Sequence, residues 1–462
     1  MSELETKVIR IGARRHVELQ RRRDGVEIIG LVSVLVPIWL FLVDGGVANF
    51  EIEDVLSIAN RLTALVGTSL LLVHLALVAR IPWLESTLGL DKLTAHHKRL
   101  GKPLFYLLLI HSVLAVISYA EISNLDLTSS LVSMVTNYFD LLLALLAMLL
   151  MVVVVISSIR IARRRLSYEN WYLVHLISYV AILAAIPHQL NLGTDFLSQP
   201  LMRSWFTLLY LFVFGHLLWF RILQPVVLSL ASNLKIVRVT PDKNHTTSLV
   251  IGGRKLQRFD AQAGQFFLVR VLTKKQWWRP HPFSVSNAPD SEIRFTIGNR
   301  GDDTELMQKL EVGTRVILEG PFGVFTEEKR TKRHVTLMAA GIGVAPIRSL
   351  AESLAAEPGD VTIVYRATDL ADAALLDEVE RISFERGHKL HVLHGPRGEH
   401  GGFLPEDQSG DPEHSRLLGL APHLLDSDIY VCGPAAWSNS VKHSLNKLGV
   451  SKHQVHIEEF AW

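Results

Sequence analysis

Four histidines in the first half of the chain stand in two matched pairs. His97 and His111 are 14 residues apart, and His175 and His188 are 13 apart. A neutral imidazole coordinates transition metals, so repeated pairs are candidates for paired metal sites. The second half holds residues suited to different chemistry. Gly341-Ile342-Gly343-Val344-Ala345-Pro346 directly follows an apolar run. Glycines there let the backbone approach a phosphate at a helix N-terminus, where free amides and the helix dipole favour anions. Arg279-Pro280-His281-Pro282-Phe283-Ser284-Val285-Ser286 and Cys432-Gly433-Pro434 are further compact motifs. Cys432 is the single cysteine, so an intrachain disulfide and a cysteine-based zinc site are excluded.

The elements that position the histidines are apolar stretches at 26–43, 55–79, 102–119, 133–159, 171–187 and 205–223. Each approaches or exceeds the roughly 20 residues that a bilayer span needs. Trp39, Trp83, Tyr119, Trp171, Tyr172 and Trp205 stand at their ends as interfacial anchors. Charge alternates between them. Arg14, Arg15, Arg21, Arg22 and Arg23 precede the first run. The loop 44–54 holds Asp44, Glu51, Glu53 and Asp54 with no base. Arg80, Lys92, Lys98, Arg99 and Lys102 follow the second run, 120–130 is acidic, and Arg160, Arg163, Arg164 and Arg165 follow the fourth. The loop 188–203 is nearly uncharged. Basic loops remain cytoplasmic. The expectation is a multi-pass protein of the plasma (inner) membrane with both termini inside. The charged first 25 residues do not read as a cleavable signal peptide. A net charge of +2 gives no reason to expect a nucleic-acid partner.

On helices running from cytoplasm to outside, gaps of 14 and 13 residues are about 21 and 20 Å. His97 and His175 then lie near the inner face, and His111 and His188 near the outer one. Two facing helices so arranged offer two bis-imidazole sites stacked through the membrane, the ligand sets of two b-type haems. At about 100° per residue, His97 and His111 fall within about 40° of each other, but His175 and His188 come out about 140° apart. Pro187 can bend the fifth helix between them. His96 is an alternative to His97. His74 and His216 lack a partner at matching spacing and read as packed or hydrogen-bonded helix residues.

The stretch 234–319 is rich in short alternating runs, at 248–251, 266–271, 292–297 and 315–318, separated by turn residues. This predicts an antiparallel β-barrel. After about residue 332, strands alternate with helices, predicting an α/β parallel sheet with its ligand at the strands' carboxyl ends. The expected organisation is a cytoplasmic segment 1–25, a six-helix transmembrane bundle 26–230, a β-barrel domain 231–330 and an α/β domain 331–462.

His281-Pro282-Phe283-Ser284, Gly341–Pro346, Cys432-Gly433-Pro434 and a near-terminal Glu459-Phe460 occur in an order and spacing that resemble the dehydrogenase domain of NADPH oxidases and ferric-chelate reductases, a relative of ferredoxin–NADP reductase. The six-span half resembles the ferric-reductase-like transmembrane domain of the same family. The resemblance implies FAD, NADPH (with NADH possible) and two haem b groups, with His97, His111, His175 and His188 on the haem irons. It implies that Phe283 flanks the flavin ring and Ser284 lies near its N5, within a flavin-binding motif that extends to Ser286. Gln265 belongs to the matching strand before that motif, and Gly320-Pro321-Phe322-Gly323 to the loop closing the flavin domain. Thr304, with its neighbouring amides, would take the FAD pyrophosphate.

The resemblance further implies that Gly341, Gly343 and Pro346 carry the nicotinamide nucleotide's phosphates. Cys432, Gly433 and Pro434 would lie beside the nicotinamide. Phe460 would cover the flavin until the nicotinamide displaces it, with Trp462 the alternative. Arg366, or Arg397, would grip a 2′-phosphate. Arg61 matches an arginine kept near the outer haem, but Ala115 replaces a further histidine of the animal superoxide-forming enzymes. The implied activity is electron transfer from cytoplasmic NADPH through FAD and two haems to an outer acceptor, dioxygen or a ferric chelate. A haem-free, membrane-anchored flavin reductase serving a soluble partner is the alternative. The oligomeric state is not readable from the sequence.

Overall fold

The apolar runs fold as helices, because a chain in hydrocarbon must satisfy its backbone N–H and C=O groups within itself. The computed structural model describes residues 3–43, 55–159, 163–243, 246–274, 276–299, 301–396, 402–405 and 412–459. The chain divides into two compact units, one of Asp24–Ile81 and Lys92–Trp219, the other of Met1–Arg23, Pro82–Asp91 and Phe220–Trp462.

The first unit is helical. Its main elements are the end of α1 (Glu3–Val43), α2 (Val55–Ala76), most of α4 (Leu90–Ser123), α5 (Leu127–Asn137), α6 (Phe139–Ser158), α7 (Tyr168–Leu192) and α8 (Pro200–Leu218). Six helices among the described residues are long and apolar enough to cross a membrane. Leu149, Leu183 and Leu211 are exposed on this unit, an apolar surface that water would not wet but lipid would.

Three helices differ from the sequence expectation. His97 lies within α4 rather than ahead of it, because the helix already starts at Leu90 and runs through Pro103. The expected 133–159 run is broken at Tyr138, which is extended (φ −129°, ψ 103°). Its first part belongs to α5, started by Asp126, whose carboxylate accepts the N–H groups of Thr128 and Ser129. The fifth helix does not stop at Pro187 but passes through it to Leu192.

The second unit contains two three-stranded antiparallel sheets, β1-β2-β5 and β4-β3-β6. The strands are β1 (Lys235–Asp242), β2 (Thr246–Gly252), β3 (Phe266–Val271), β4 (His281–Ser284), β5 (Ile293–Ile297) and β6 (Val316–Phe322). Phe267, Val269, Phe295 and Leu318 share one buried core between them. A five-stranded parallel sheet follows in the order β11-β10-β7-β8-β9, with β7 (His334–Ala340), β8 (Val361–Arg366), β9 (Lys389–Leu393), β10 (Ser427–Gly433) and β11 (Val455–Glu459). Separate apolar clusters pack on it, one around Leu337, Ile363 and Tyr430, another around Met338, Val364 and Trp437. Burial on both faces explains why these strands read as continuous apolar runs.

Pro82–Asp91, placed by the sequence reading in the transmembrane segment, groups with this second unit. There α3 (Pro82–Leu88) sets Glu85 against Gly323, whose N–H donates to the carboxylate at 2.7 Å. Leu90 shares a buried cluster with Phe266, Leu268 and Phe322.

Candidate redox site

In the helical unit, α2 and α4 are locked by two contacts of the same kind. His97 Nδ1 stands 3.2 Å from the carbonyl oxygen of His74, and His111 Nδ1 stands 3.2 Å from that of Asn60. A carbonyl only accepts, so each imidazole carries its proton on Nδ1 and leaves Nε2 as the lone-pair nitrogen. Metal-binding histidines are oriented in this way. The rings of His97 and His175 meet with centroids 6.1 Å apart and planes at 72°. A metal–imidazole bond of about 2 Å on each side puts two ligand ring centroids about 6 Å apart. Trp171, one turn before His175, stacks on it at 5.1 Å.

His111 and His188 line one cavity of about 350 Å³, together with Arg61, Ala115, Met148 and Gln189. Its wall is mostly aliphatic, from α2, α4, α5, α6 and α7. Two imidazoles in an apolar slot fit a planar, iron-bearing macrocycle. His96 is exposed and His74 donates its Nε2 proton to the carbonyl of His97 at 3.0 Å. His216 Nδ1 donates within its own helix to Phe212 at 2.7 Å. The geometry therefore favours His97 over His96 for the inner pair.

Arg61 grips Asp195 with two hydrogen bonds, Nε to Oδ2 at 3.1 Å and Nη2 to Oδ1 at 2.5 Å. Its guanidinium also covers the Phe41 ring at 4.6 Å. Asp195 was not singled out from the sequence. It is the acid in an otherwise almost uncharged loop, and that isolation is the signal that could have marked it.

In the second unit, β3 pairs with β4 so that Phe266 faces Ser284 and Phe267 faces Phe283. His281 stacks with Phe283 at 6.2 Å. The Ser284 hydroxyl is buried and has no hydrogen-bond partner among the described residues. A buried hydroxyl left open is costly unless a ligand completes it, which fits a flavin edge at this strand. Gln265 serves the frame: its Oε1 accepts the Gln262 N–H at 2.9 Å and its Nε2 donates to the Gly323 carbonyl at 3.3 Å. Gly264 beside it has φ +86°, and a Cβ there would meet the Phe325 carbonyl at 1.9 Å.

Ser286 departs from the role expected of it. It is fully buried, and its hydroxyl accepts from Thr296 at 2.8 Å and from Arg294 Nε at 3.1 Å while donating to the Arg294 carbonyl at 3.2 Å. Those bonds use the hydroxyl to hold β5 to the motif. Thr304, in the first turn of Asp302–Gln308, donates its hydroxyl to the Gly301 carbonyl at 2.8 Å.

The nucleotide motif lies where β7 has β8 on one side and β10 on the other, the point at which strand order reverses. A Cβ on Gly343 would stand 2.2 Å from the Cys432 carbonyl oxygen, and one on Gly433 would stand 2.8 Å from Trp437. The two glycine segments can touch only because neither has a side chain. Gly341 has φ +54° and faces open space. Pro346 is buried in the first turn of the helix Val344–Ser353. Cys432 is buried at the end of β10, and Pro434 caps the helix Ala435–Lys447. Arg366 is buried, and its guanidinium donates to the carbonyls of Ala367 and Gly395. It staples β8 to the loop after β9 rather than presenting itself to a ligand. Phe460, Trp462, Arg397, Arg160 and the acids Asp44, Glu51, Glu53 and Asp54 lie outside the described residues.

Two buried carboxyls near the flavin strands were missed by sequence reasoning. Burial pushes Glu85 up from the ordinary carboxylate range, against the opposing pull of the Gly323 N–H. Burial pushes Glu458 well up, and the negative charges of Asp91 and Glu85 push it further.

Comparison with known families assigns three regions. A ferric reductase like transmembrane component matches residues 63–186, an FAD-binding domain matches 231–326, and an oxidoreductase NAD-binding domain matches 337–443. Among curated relatives, the ferredoxin reductase component of 3-ketosteroid-9-alpha-monooxygenase from Mycobacterium tuberculosis is 29% identical over 43% of this chain and 54% of its own. Vanillate O-demethylase oxidoreductase from Pseudomonas sp. is 28% identical over 39% and 54%, and a flavohemoprotein from Vibrio cholerae is 27% identical over 47% and 56%. The chain thus spans about half the length of these relatives.

Among solved structures, the FAD/NAD-binding domain of nitric oxide dioxygenase from Vibrio cholerae overlaps 49% of this chain and 98% of its own at 22% identity, with a TM-score of 0.40. The ferredoxin reductase of carbazole 1,9a-dioxygenase overlaps 49% and 68% at 19% identity, with a TM-score of 0.39. Overlaps this loose add nothing to the domain matches. A ferric reductase-like membrane component followed by FAD- and NAD-binding domains is the architecture of the ferric-reductase and NADPH-oxidase group, and it makes this chain a multi-pass, FAD- and NAD(P)H-dependent oxidoreductase.

Proposed function

We propose that this oxidoreductase is a transmembrane flavocytochrome, taking hydride from NADPH in the cytoplasm and delivering single electrons to a small acceptor at the outer face of the plasma (inner) membrane. The observation that carries the proposal is the repeated α2–α4 contact. His97 and His111 each commit Nδ1–H to a carbonyl of α2, and each has a second histidine of α7 as its counterpart in the ring contact or the cavity.

His97 and His175 would hold the inner haem iron, and His111 and His188 the outer one. Neutral imidazoles do this without burying permanent charge in the bilayer. Bound flavin supplies the exchange between hydride and single electrons, and haem supplies one-electron transfer. The chain's own residues bind, orient and exclude water. From the β3–β4 pair, Ser284, with its buried open hydroxyl, and Phe283 would meet the flavin, and Thr304 with the amides of its helix would take the pyrophosphate. Gly341, Gly343 and Pro346 open the helix N-terminus to the nucleotide phosphates, and Cys432, Gly433 and Pro434 form the neighbouring wall. Phe460 would cover the flavin.

NADPH is the proposed donor, with NADH second. Arg366 is spent on carbonyls, so the 2′-phosphate grip passes to Arg397. Arg61 and Asp195 form a neutral pair on the wall of the outer cavity. The basic loops support a cytoplasmic position for both termini.

The test uses purified full-length protein in lipid vesicles with NADPH. Haem reduction, followed by reduction of an outside acceptor, is expected. Cytochrome c reduction abolished by superoxide dismutase assigns dioxygen as the acceptor. Superoxide dismutase-insensitive reduction of a ferric chelate assigns iron. Flavin reduction with no haem band would overturn the proposal.

A further inference from the structure

We infer that His74 is a positioning residue for the inner redox site: from α2 it clamps the His97 ring and fixes the angle at which that ring meets His175. The inference rests on the haem reading above and deepens it.

Three contacts carry it. The two histidines exchange reciprocal bonds, with His97 Nδ1–H donating to the His74 carbonyl at 3.2 Å and His74 Nε2–H donating to the His97 carbonyl at 3.0 Å. Their rings lie stacked with centroids 3.7 Å apart and planes 17° from parallel. Gly101, one turn along α4, lies beside the pair, and a Cβ there would make an ordinary contact with His74 Nε2 at 3.4 Å. The backbone half of this arrangement is repeated at the outer site, where His111 donates to the Asn60 carbonyl. There the residue on α2 is an asparagine, so it supplies no stacking ring. The inner site therefore has a second imidazole bracing its ligand from one side, and Trp171 stacks on His175 from the other helix.

A stacked ring restricts rotation of its neighbour about the Cβ–Cγ bond. His97 is held so that its plane lies 72° from that of His175. The mutual angle of two axial imidazoles sets the anisotropy of a low-spin ferric haem and contributes to its potential, and residues that orient a ligand tune its metal. Because the His74 Nε2 proton is committed to a carbonyl, His74 braces the ligand rather than replacing it.

The experiment compares His74→Ala, His74→Phe, His74→Gln and His97→Ala in the full-length protein purified in detergent. Haem per chain, the low-temperature electron paramagnetic resonance spectrum and the two potentiometric midpoints are measured. In His74→Phe, two haems per chain are expected, with the inner signal near its wild-type position, because the stacking ring remains and phenylalanine cannot bind iron. In His74→Gln the donor remains but the ring is lost, and a shifted inner signal and a shifted inner midpoint are expected. His74→Ala should shift both further or lose the inner haem, leaving the outer haem's signal as an internal control. His97→Ala should lose the inner haem.

Wild-type signals and midpoints in both His74→Ala and His74→Gln would overturn the inference while leaving the haem reading intact. Loss of the inner haem in His74→Phe but not in His97→Ala would also overturn it, because His74 would then be the ligand. Wild-type protein without haem would remove the reading beneath it, and that result is seen before any variant is made.

Discussion

The Nδ1–H of His111 donates to the carbonyl of Asn60 at 3.2 Å, and fourteen residues back along α4 His97 makes the same bond to His74. Since α2 runs antiparallel to α4, the two contacts show one register held over about 21 Å of helix. The consequence is chemical as well as structural. Both α4 imidazoles are fixed in one tautomer, the proton on Nδ1, by backbone carbonyls of α2 alone.

Ser284 is the residue on which flavin chemistry is expected to depend most sharply. Its hydroxyl is buried and open, so Ser284→Ala removes a donor without leaving a bad contact. The expected result is retained FAD and a fall in the rate of flavin reduction by NADPH of roughly tenfold to a hundredfold, at or below the low end of the roughly hundredfold to thousandfold loss seen when one preorganised oxyanion donor is removed. Stopped-flow absorbance of the flavin reads it. An unchanged rate would place the flavin elsewhere.

Gly343 and Gly341 should fail differently. A methyl at 343 runs into the Cys432 carbonyl at 2.2 Å, which the backbone must move to relieve. Gly343→Ala should cost about 3 kcal/mol of stability and lose nucleotide binding with it. Gly341→Ala meets no atom but carries a positive φ. Its cost should be about 1–2 kcal/mol, with a raised KM for NADPH in a dye-reduction assay of the flavin module.

Arg366→Ala should act on folding more than on nucleotide choice. Its guanidinium satisfies the carbonyls of Ala367 and Gly395 in a buried place. Leaving them open should cost about 2–4 kcal/mol, read as a lower melting temperature of the protein. The ratio of kcat/KM for NADPH over NADH should change by less than about threefold, well under what loss of a bidentate phosphate grip removes.

Glu458 should make stability depend on pH in the alkaline direction. Its folded-state affinity for a proton is raised by burial and by the facing charges of Asp91 and Glu85. Lys329, whose Nζ donates to the Ser86 carbonyl, stands beside Glu85. A carboxyl with a raised folded value contributes fully below its unfolded value. That contribution is lost as pH rises through the folded one. Melting temperature should therefore fall as pH rises from the ordinary carboxylate range of about 4, and Glu458→Gln should flatten that fall. An equal slope in the variant would contradict this assignment.

Much of the architecture was legible because membrane and strand physics write strong patterns. Apolar runs bounded by alternating charge gave six spans, and the glycine motif after an apolar strand marked the nucleotide switch point. The break at Tyr138 was hidden because Val132, Met134 and Val135 continue the apolar run of α6, while Ser129, Ser130, Ser133 and Thr136 were the quieter sign of a separate, capped helix. The ideal-helix angle set His175 and His188 about 140° apart, yet α7 continues through Pro187, His175 meets His97, and His188 lines one cavity with His111. Ser286, Gln265 and Arg366 share a different lesson. The family resemblance marked them for ligands, yet their polar atoms are used in pairing strands and loops, which depends on long-range register. The partners of Glu85 and Asp195 were hidden for the same reason, lying 238 and 134 residues away.

The most direct measurement is haem content with a reduced-minus-oxidised spectrum, on the wild type and on His97→Ala, His111→Ala, His175→Ala and His188→Ala. Two paired-imidazole sites predict two b-type haems per chain in the wild type and one in each variant, with the same haem lost in His97→Ala and His175→Ala and the other lost in His111→Ala and His188→Ala. A flavin-only spectrum in the wild type, or variants that keep both haems, would contradict the account.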